Sequence, residues 1–317
     1  MLTLLFPCLI SSQNTVCFTI EPNMNSSIAF SGFTKYVDVL GCFSVYAENS
    51  IPDSKVLHAA AIAAELLDNN EDGIIDDPLI EIQLQNEQAF MPIFAYEGSL
   101  AENLLFTHYN GNGASAVLYK NEMNPMQTGH WGDDATVEEV IHTINHVGHA
   151  NVYPSAFDIQ PNSSLMTTAM DVARGGQLLF PPWTYSSSAW YHYDDYTCDY
   201  ECMAIEYMYW AIVSYMGVLD NLQTAAGIAD EWEAYNASLL QSMDILMYNL
   251  ITDPNYKLPL LAPDGNYCPN STPILELAAD RKLKKVLDLL GRETKHTNQP
   301  IFYIYDDGTV EKKIVIN

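Results

Sequence analysis

Glu139, His142, His146 and His149 recur at intervals of three, four and three within Thr136–Ala150, TVEEVIHTINHVGHA. On an α-helix that spacing sets all four along one stripe. Imidazoles at i, i+4 can share one metal ion, and an ion beside a carboxylate can activate water for hydrolysis. Three of the eight histidines of the chain fall within the eight residues from His142 to His149. The plainer alternative is that Glu139 is only a capping acid and each histidine an ordinary packed or exposed residue.

The stretch has what a helix needs to hold such a stripe in place. Val137, Val140, Ile141, Ile144 and Val147 supply an apolar side. Thr136 reads as an N-cap, with Glu139 three residues on to complete a capping box. A second element must bring another acid. Cys198–Leu219 reads as a core helix, apolar nearly all round, with Glu206 in the middle of CMAIEYMYW. A buried carboxylate is costly unless it is paired or bound to a metal. Arg174 or a tyrosine hydroxyl is the plainer partner for Glu206.

The His stretch resembles, in part, the metal-binding helix of the zincin-type metallopeptidases, whose motif is HExxH. His142 and His146 keep the HxxxH spacing, but Thr143 stands where the glutamate follows the first histidine. The nearest acids, Glu138 and Glu139, lie on the N-terminal side. The resemblance covers about fifteen of 317 residues. It implies Zn2+ held by His142, His146 and Glu206, with His149 as a further ligand or a wall of the cleft. Glu139 or Glu138 would be general base, although either could instead be a ligand. Glu139-x-x-His142 also has the spacing of di-iron carboxylate helices, which need a second Glu-x-x-His in the helical body.

A second stretch, Asp68–Asp77, follows an Ala-rich helix expected over Lys55–Leu67 and capped by Asp53 or Ser54. Asp68, Asn70, Asp72, Gly73, Ile74 and Asp76 occupy positions 1, 3, 5, 6, 7 and 9 of a loop that resembles the calcium loop of EF-hand and dockerin-like modules. The resemblance implies Ca2+ bound by the side chains of Asp68, Asn70, Asp72 and Asp76 and by the Ile74 carbonyl. Leu79 stands at position 12, where a bidentate glutamate is usual, so Asp77 or Glu81 would have to substitute. A solvated acidic turn is the alternative.

Forty acids against thirteen bases give a formal charge of −27. A surface that negative repels nucleic acid and anionic membranes and suits cations or basic partners. Eight of the thirteen bases lie after residue 280, so the last 37 residues carry +3 and the first 280 carry −30. The apolar start MLTLLFPCLISSQ reads as a signal peptide over residues 1–13, and no later run is long enough to span a membrane. Without Cys8, five cysteines remain, so at least one is unpaired within the chain. Sequons at Asn25, Asn162, Asn236 and Asn270 agree with secretion, where disulfides are favoured.

The expected fold is α+β, mainly helical: an acidic body over 14–273, then a basic helix plus β-hairpin over 274–317. Short strands are expected at Thr15–Ile20, Thr34–Val39, Met91–Tyr96 and Ala114–Asn121. Helices are expected at Leu79–Gln88, Leu100–His108, Leu165–Leu178 and Ile274–Leu290, with one or two more within Ile228–Asn249. Asp171 and Arg174, at i, i+3, should pair. His130 and Trp131 fall in a loop before the His helix, and an aromatic loop, Phe180–Asp195, could wall a cleft. The leading expectation is a secreted metal-dependent hydrolase, most simply zincin-like, with a structural calcium site. Its rivals are a non-enzymatic acidic calcium-binding or matrix protein and a metal-dependent oxidoreductase.

Overall fold

The computed structural model describes residues 17–126, 134–269, 283–287, 292–294, 300–306 and 310–314. The leader, Cys8, His130, Trp131 and Asn270 lie outside them. The chain divides into two units, Met1–Cys268 and Pro269–Asn317. The fold is mixed and mainly helical.

The first unit is built on a five-stranded sheet in the order β1-β2-β3-β4-β5. These strands are Glu21–Pro22, Lys35–Val39, Phe43–Ala47, Phe90–Phe94 and Leu118–Tyr119. The first three pair antiparallel; β4 and β5 join them in parallel. Parallel neighbours need crossovers. Here α1 (Asp53–Leu67) and α2 (Pro78–Glu87) make the first, and α3 (Leu100–His108) makes the second. Strand alternation then sorts the side chains. Phe43, Val45 and Ala47 of β3 and Met91 and Ile93 of β4 join the main core, while Phe90 and Phe94 enter a smaller aromatic core with Phe30 and Phe33. Every residue of β4 is buried because both of its faces are covered.

Several elements follow the sequence expectations closely, α1, α2, α3 and β2 among them. Others correct them. Asp53 lies inside α1 behind Pro52 and bonds to Lys35 instead of capping the helix. Helix α7 (Leu165–Ala173) stops short of the expected end, because Gly175 and Gly176 turn the chain out at positive φ. Arg174 makes no ion pair shorter than 4 Å with Asp171; it donates to the Leu178 carbonyl, and Asp171 accepts from the Tyr200 hydroxyl. The apolar helix, α8, runs over Tyr200–Met216, with Asp199 as its side-chain cap. Beyond it come α9 (Leu222–Gly227), α10 (Ala237–Met243) and α11 (Ile245–Ile251).

Cys17 is bonded to Cys268 and Cys198 to Cys202, while Cys42 is a free, buried thiol. No helix among the described residues is long and apolar enough to cross a membrane. In the second unit β6 (Leu283–Leu287), β7 (Pro300–Tyr305) and β8 (Val310–Ile314) form an antiparallel sheet. The hairpin of the last two was expected. β6 lies where a helix was expected: Leu283–Leu287 pairs along β7 with a register shift between Leu283 and Lys285.

Candidate metal centre

The His stretch is not a uniform α-helix. It begins as α4 (Thr136–Thr143), passes through π-helical turns at Ile144–His149, and ends in the short α5 (Ala150–Val152) before α6 (Pro154–Phe157). Within it the Ala150 N–H reaches back to Asn145 O, an i→i+5 bond. The wider turn carries residues after 143 off the stripe that uniform α-helical spacing defines. Gly148 allows the widened segment to lie against α2, since a Cβ there would meet Ile80 Cγ2 at 3.1 Å.

The start of α4 also differs from expectation. Thr136 is the first helical residue and not the cap. Asp134 Oδ1 accepts from both the Thr136 N–H and its hydroxyl, at 3.1 and 2.5 Å. The other oxygen, Oδ2, bonds to Nε2 of His58 on α1, at 2.8 Å, with both side chains buried. Burial opposes the Asp134 charge, but the bonds from His58, Thr136 and Asn124 outweigh it and hold the carboxyl below its usual range. This pair, 76 residues apart in sequence, anchors the helix that carries the site. Glu139 has no capping role.

Glu138 and His142 stand one turn apart on α4, and α8 packs alongside with Glu206. His142 Nε2 lies 3.8 Å from Glu138 Oε1 and 3.5 Å from Glu206 Oε1. Among the described residues these three form the one group of three or more Asp, Glu, His or Cys whose ligand atoms all lie within 4.8 Å of each other. His142 is 5% exposed, and neither ring nitrogen makes a hydrogen bond. Donors about 2.1 Å from a tetrahedral ion stand about 3.4 Å apart. The observed spacings of 3.5 and 3.8 Å lie just above that edge, so small side-chain shifts would let the three hold a divalent ion between them.

His146 and His149 are not brought into this group. His146 is half-buried, and burial lowers its pKa, with Glu201 opposing and His142 adding to the shift. His149 is buried, its ring against Tyr153 and Phe157. Burial takes it down to about 4, so it is a neutral packing residue at pH 7. His192, in the aromatic loop, donates its backbone N–H to Glu231 O, next to a β-bridge between Tyr191 and Trp232.

The surroundings of the triad are acidic and aromatic. Tyr209 of α8 sits 5.4 Å from the His142 ring, centroid to centroid. Burial, then Glu206 and Glu231, keep the Tyr193 phenol protonated far above its ordinary value. Burial raises Glu139 to about 8; His142 opposes this, and Glu138, Glu206 and Glu122 add to it. Burial is also the largest influence on His142, against its charged form. Glu206, Glu138 and Glu139 override it and hold the imidazole well above 6.5. Tyr193 belongs to the aromatic loop expected to wall a cleft, whereas Tyr209 and Glu231 were not foreseen, because the bridge and helix packing that bring them here are tertiary.

These shifts fix a pH dependence for the metal-free protein. Glu139 at about 8 and Glu65 and Glu231 at about 7 start from 4.5. An acid with a higher pKa folded than unfolded is favoured protonated, so the fold weakens as pH rises from about 4.5 through those values. His142 binds its proton more tightly folded, a contribution complete below 6.5 and lost as pH climbs through its raised value. These four act in one direction; His149, taken down to about 4 by burial, and His146 oppose them below pH 6.5 but are outnumbered. The midpoint of thermal unfolding in chelator should be higher at pH 5.5 than at pH 8 by at least about 3 °C, the response of a domain of this size to ~1 kcal/mol. An equal or higher midpoint at pH 8 contradicts the assignment.

No family model, curated protein or solved structure matches the chain. The site is therefore read from its own geometry.

The acidic loop after α1 closes on itself. Asp68 is fully buried, and its carboxylate accepts from Asp72 N, Gly73 N and the Tyr267 hydroxyl, at 3.2, 2.7 and 2.6 Å. Asn70 Oδ1 accepts from Asp72 N, Asp72 Oδ1 from Ile74 N, and Asp76 Oδ2 from Asn69 N. The carboxylates of Asp68, Asp72 and Asp76 do not approach within the spacing of the His142 triad. Neither expected substitute for position 12 is idle. Asp77 caps α2 through Leu79 N and accepts from the Tyr153 hydroxyl, and Glu81 accepts from Gln85. Pro78 opens α2 at its first turn, where its missing N–H costs nothing.

Proposed function

We propose that the protein is a metal-dependent hydrolase whose ion is held by Glu138, His142 and Glu206. One observation carries this: a buried imidazole with neither nitrogen hydrogen-bonded, flanked by two carboxylate oxygens slightly beyond the edge length of a metal polyhedron. One nitrogen and two carboxylate donors suit zinc first and manganese or iron after it. The ion would polarise a carbonyl or phosphoryl oxygen and lower the pKa of water. Glu139, with its pKa near 8 before any ion is present, is the residue for proton transfer. A bound cation would lower that value toward the range of a general base. Compared with the zincin helix, the acid precedes the histidine here and the second ligand is Glu138 in place of His146. The two disulfides support an oxidising compartment, hence secretion.

The test is metal analysis of protein purified without chelator, followed by hydrolysis of a peptide and ester panel. Zinc near one equivalent, with chelator-sensitive cleavage lost in Glu139→Gln but metal retained, is the expected outcome. Iron or copper would favour an oxidoreductase at the same residues. Calcium alone would leave the acidic calcium-binding protein as the better account.

A structural Ca2+ at Asp68–Asp76 is compatible with either reading. The loop bonds hold Asn70 Oδ1, Asp72 and the exposed Ile74 turn in register around Gly73 at φ +89°. Calcium at one hundred times its dissociation constant should add about 2.7 kcal/mol of stability. Thermal melts with calcium and with chelator measure this. A midpoint indifferent to calcium in the wild type, and equally so in Asp72→Ala, removes the site.

A further inference from the structure

A polar, aromatic cavity lies on the face of the sheet opposite α1 and α4, away from the metal centre. Its floor is Tyr36 and Asp38 of β2, Ser44 and Tyr46 of β3 and Phe90 of β4. These are the strand positions that alternate away from the main core. Asn25, Tyr109 and Gln88 stand around it. The volume is about 280 Å³. A second cavity of about 370 Å³ adjoins it and shares Asn25, Tyr36 and Tyr46 with it. The two form one groove with a tyrosine pair at its waist, the rings 5.2 Å apart.

The lining selects a ligand by exclusion and by match. Among the described residues neither cavity is lined by a lysine or arginine, so none of them offers an anion a counter-charge. The first has a single acid, Asp38, with one oxygen engaged by Gly41 N. The second has only Glu21. What remains is hydroxyl and amide chemistry on an aromatic bed. Gln88 is exposed, its amide makes no hydrogen bond, and its backbone is held at φ +54° as the cap of α2. Phe30, Tyr46, Phe90 and Tyr109 are packed edge to face or, for Phe30 and Tyr46, tilted, with centroids 4.7–5.7 Å apart, so the platform is rigid. A ring that offers C–H groups to aromatic faces and hydroxyls to a carboxylate, an amide and a serine is a neutral sugar. Each cavity falls at or near the lower end of small-molecule pockets, room for one ring apiece.

We propose that this groove binds a neutral saccharide of two rings, straddling Tyr36 and Tyr46. Two sources supply that chemistry. One is a free saccharide. The other is attached to the chain, since Asn25-Ser26-Ser27 is a glycosylation sequon and exposed Asn25 lines both cavities. A glycan on Asn25 would then lie in its own groove at high effective concentration.

Two arms decide the proposal and separate the sources. In the first, protein from a bacterial host, without glycan, is titrated with chitobiose, cellobiose, lactose and maltose, read by saturation-transfer NMR and calorimetry. In the second, protein from a eukaryotic host is tested for a glycan at Asn25 by mass spectrometry. Its release by endoglycosidase is then timed in native and denatured protein. Asp38→Asn and Gln88→Ala, both at exposed positions, serve in each arm with an unchanged melting midpoint as the folding control. Binding of at least one disaccharide, weakened tenfold or more by either substitution, supports a free ligand. A glycan released at least tenfold more slowly from native protein, with protection lost in the same variants, supports the attached one. No binding in the first arm together with no protected glycan in the second overturns the proposal.

Discussion

His142→Ala is expected to lose its transition metal outright, while His146→Ala keeps it. The two residues are equivalent on a uniform helix and distinct in this one. His142 Nε2 faces both carboxylates, whereas His146 lies beyond the point at which the π turns widen the helix. Removing a supporting residue around a metal site typically costs 10–100-fold in affinity, and removing one of three ligands should cost more. Titration with zinc under a competing chelator gives the affinities. Glu206→Gln should fall with His142→Ala, and His149→Ala should keep wild-type affinity while losing stability through its packing on Phe157. Equal loss in His142→Ala and His146→Ala would restore the HxxxH pairing and refute the Glu138 assignment.

The largest effect on stability is expected at Asp244, far from any metal ligand in sequence. This buried carboxylate accepts from the Tyr207 hydroxyl at 2.6 Å, Trp190 Nε1 at 3.0 Å and Met247 N at 3.1 Å. It thereby ties α8, the aromatic loop and the start of α11 together. Asp244→Ala strands two ring donors and a helix cap. At about 1–3 kcal/mol for each stranded donor and ~1 for the cap, the loss should reach about 3–7 kcal/mol, a large part of a typical domain's 5–15 kcal/mol. Asp244→Asn keeps an acceptor oxygen for both rings and should lose less than half as much. Urea unfolding of the three proteins measures this. A loss under about 1 kcal/mol in Asp244→Ala would show that the network contributes little.

Much of the scaffold could be read from the chain because its signals are local. Lys55–Leu67 is helix-forming by composition, and Leu100–His108 has Ser99 to cap it. Glu206 stood out because an apolar helix makes an acid conspicuous, and it does face His142. His146 misled because a π turn changes backbone hydrogen bonding without changing the order of side-chain types. Asp134 could have been read as an N-cap from its place before the helix, but its partner His58 is supplied by a distant element. Asp77 before Pro78 carried a readable helix-start signal, and its competing assignment as a calcium ligand obscured it. The strand at Leu283 was mistaken because its pattern becomes a strand only against β7.

The bond between Cys17 and Cys268 makes residues 17–268 a closed covalent ring. A pull applied between the two arms of the chain outside that ring runs through the sulfurs and bypasses α4 and α8. The triad is thus shielded from tension. A single protease cut anywhere between residues 18 and 267 leaves one molecule of unchanged mass but for a water, whereas a cut beyond Cys268 sheds the basic tail alone. The electrophoretic difference between reduced and unreduced digests would tell the two kinds of cut apart.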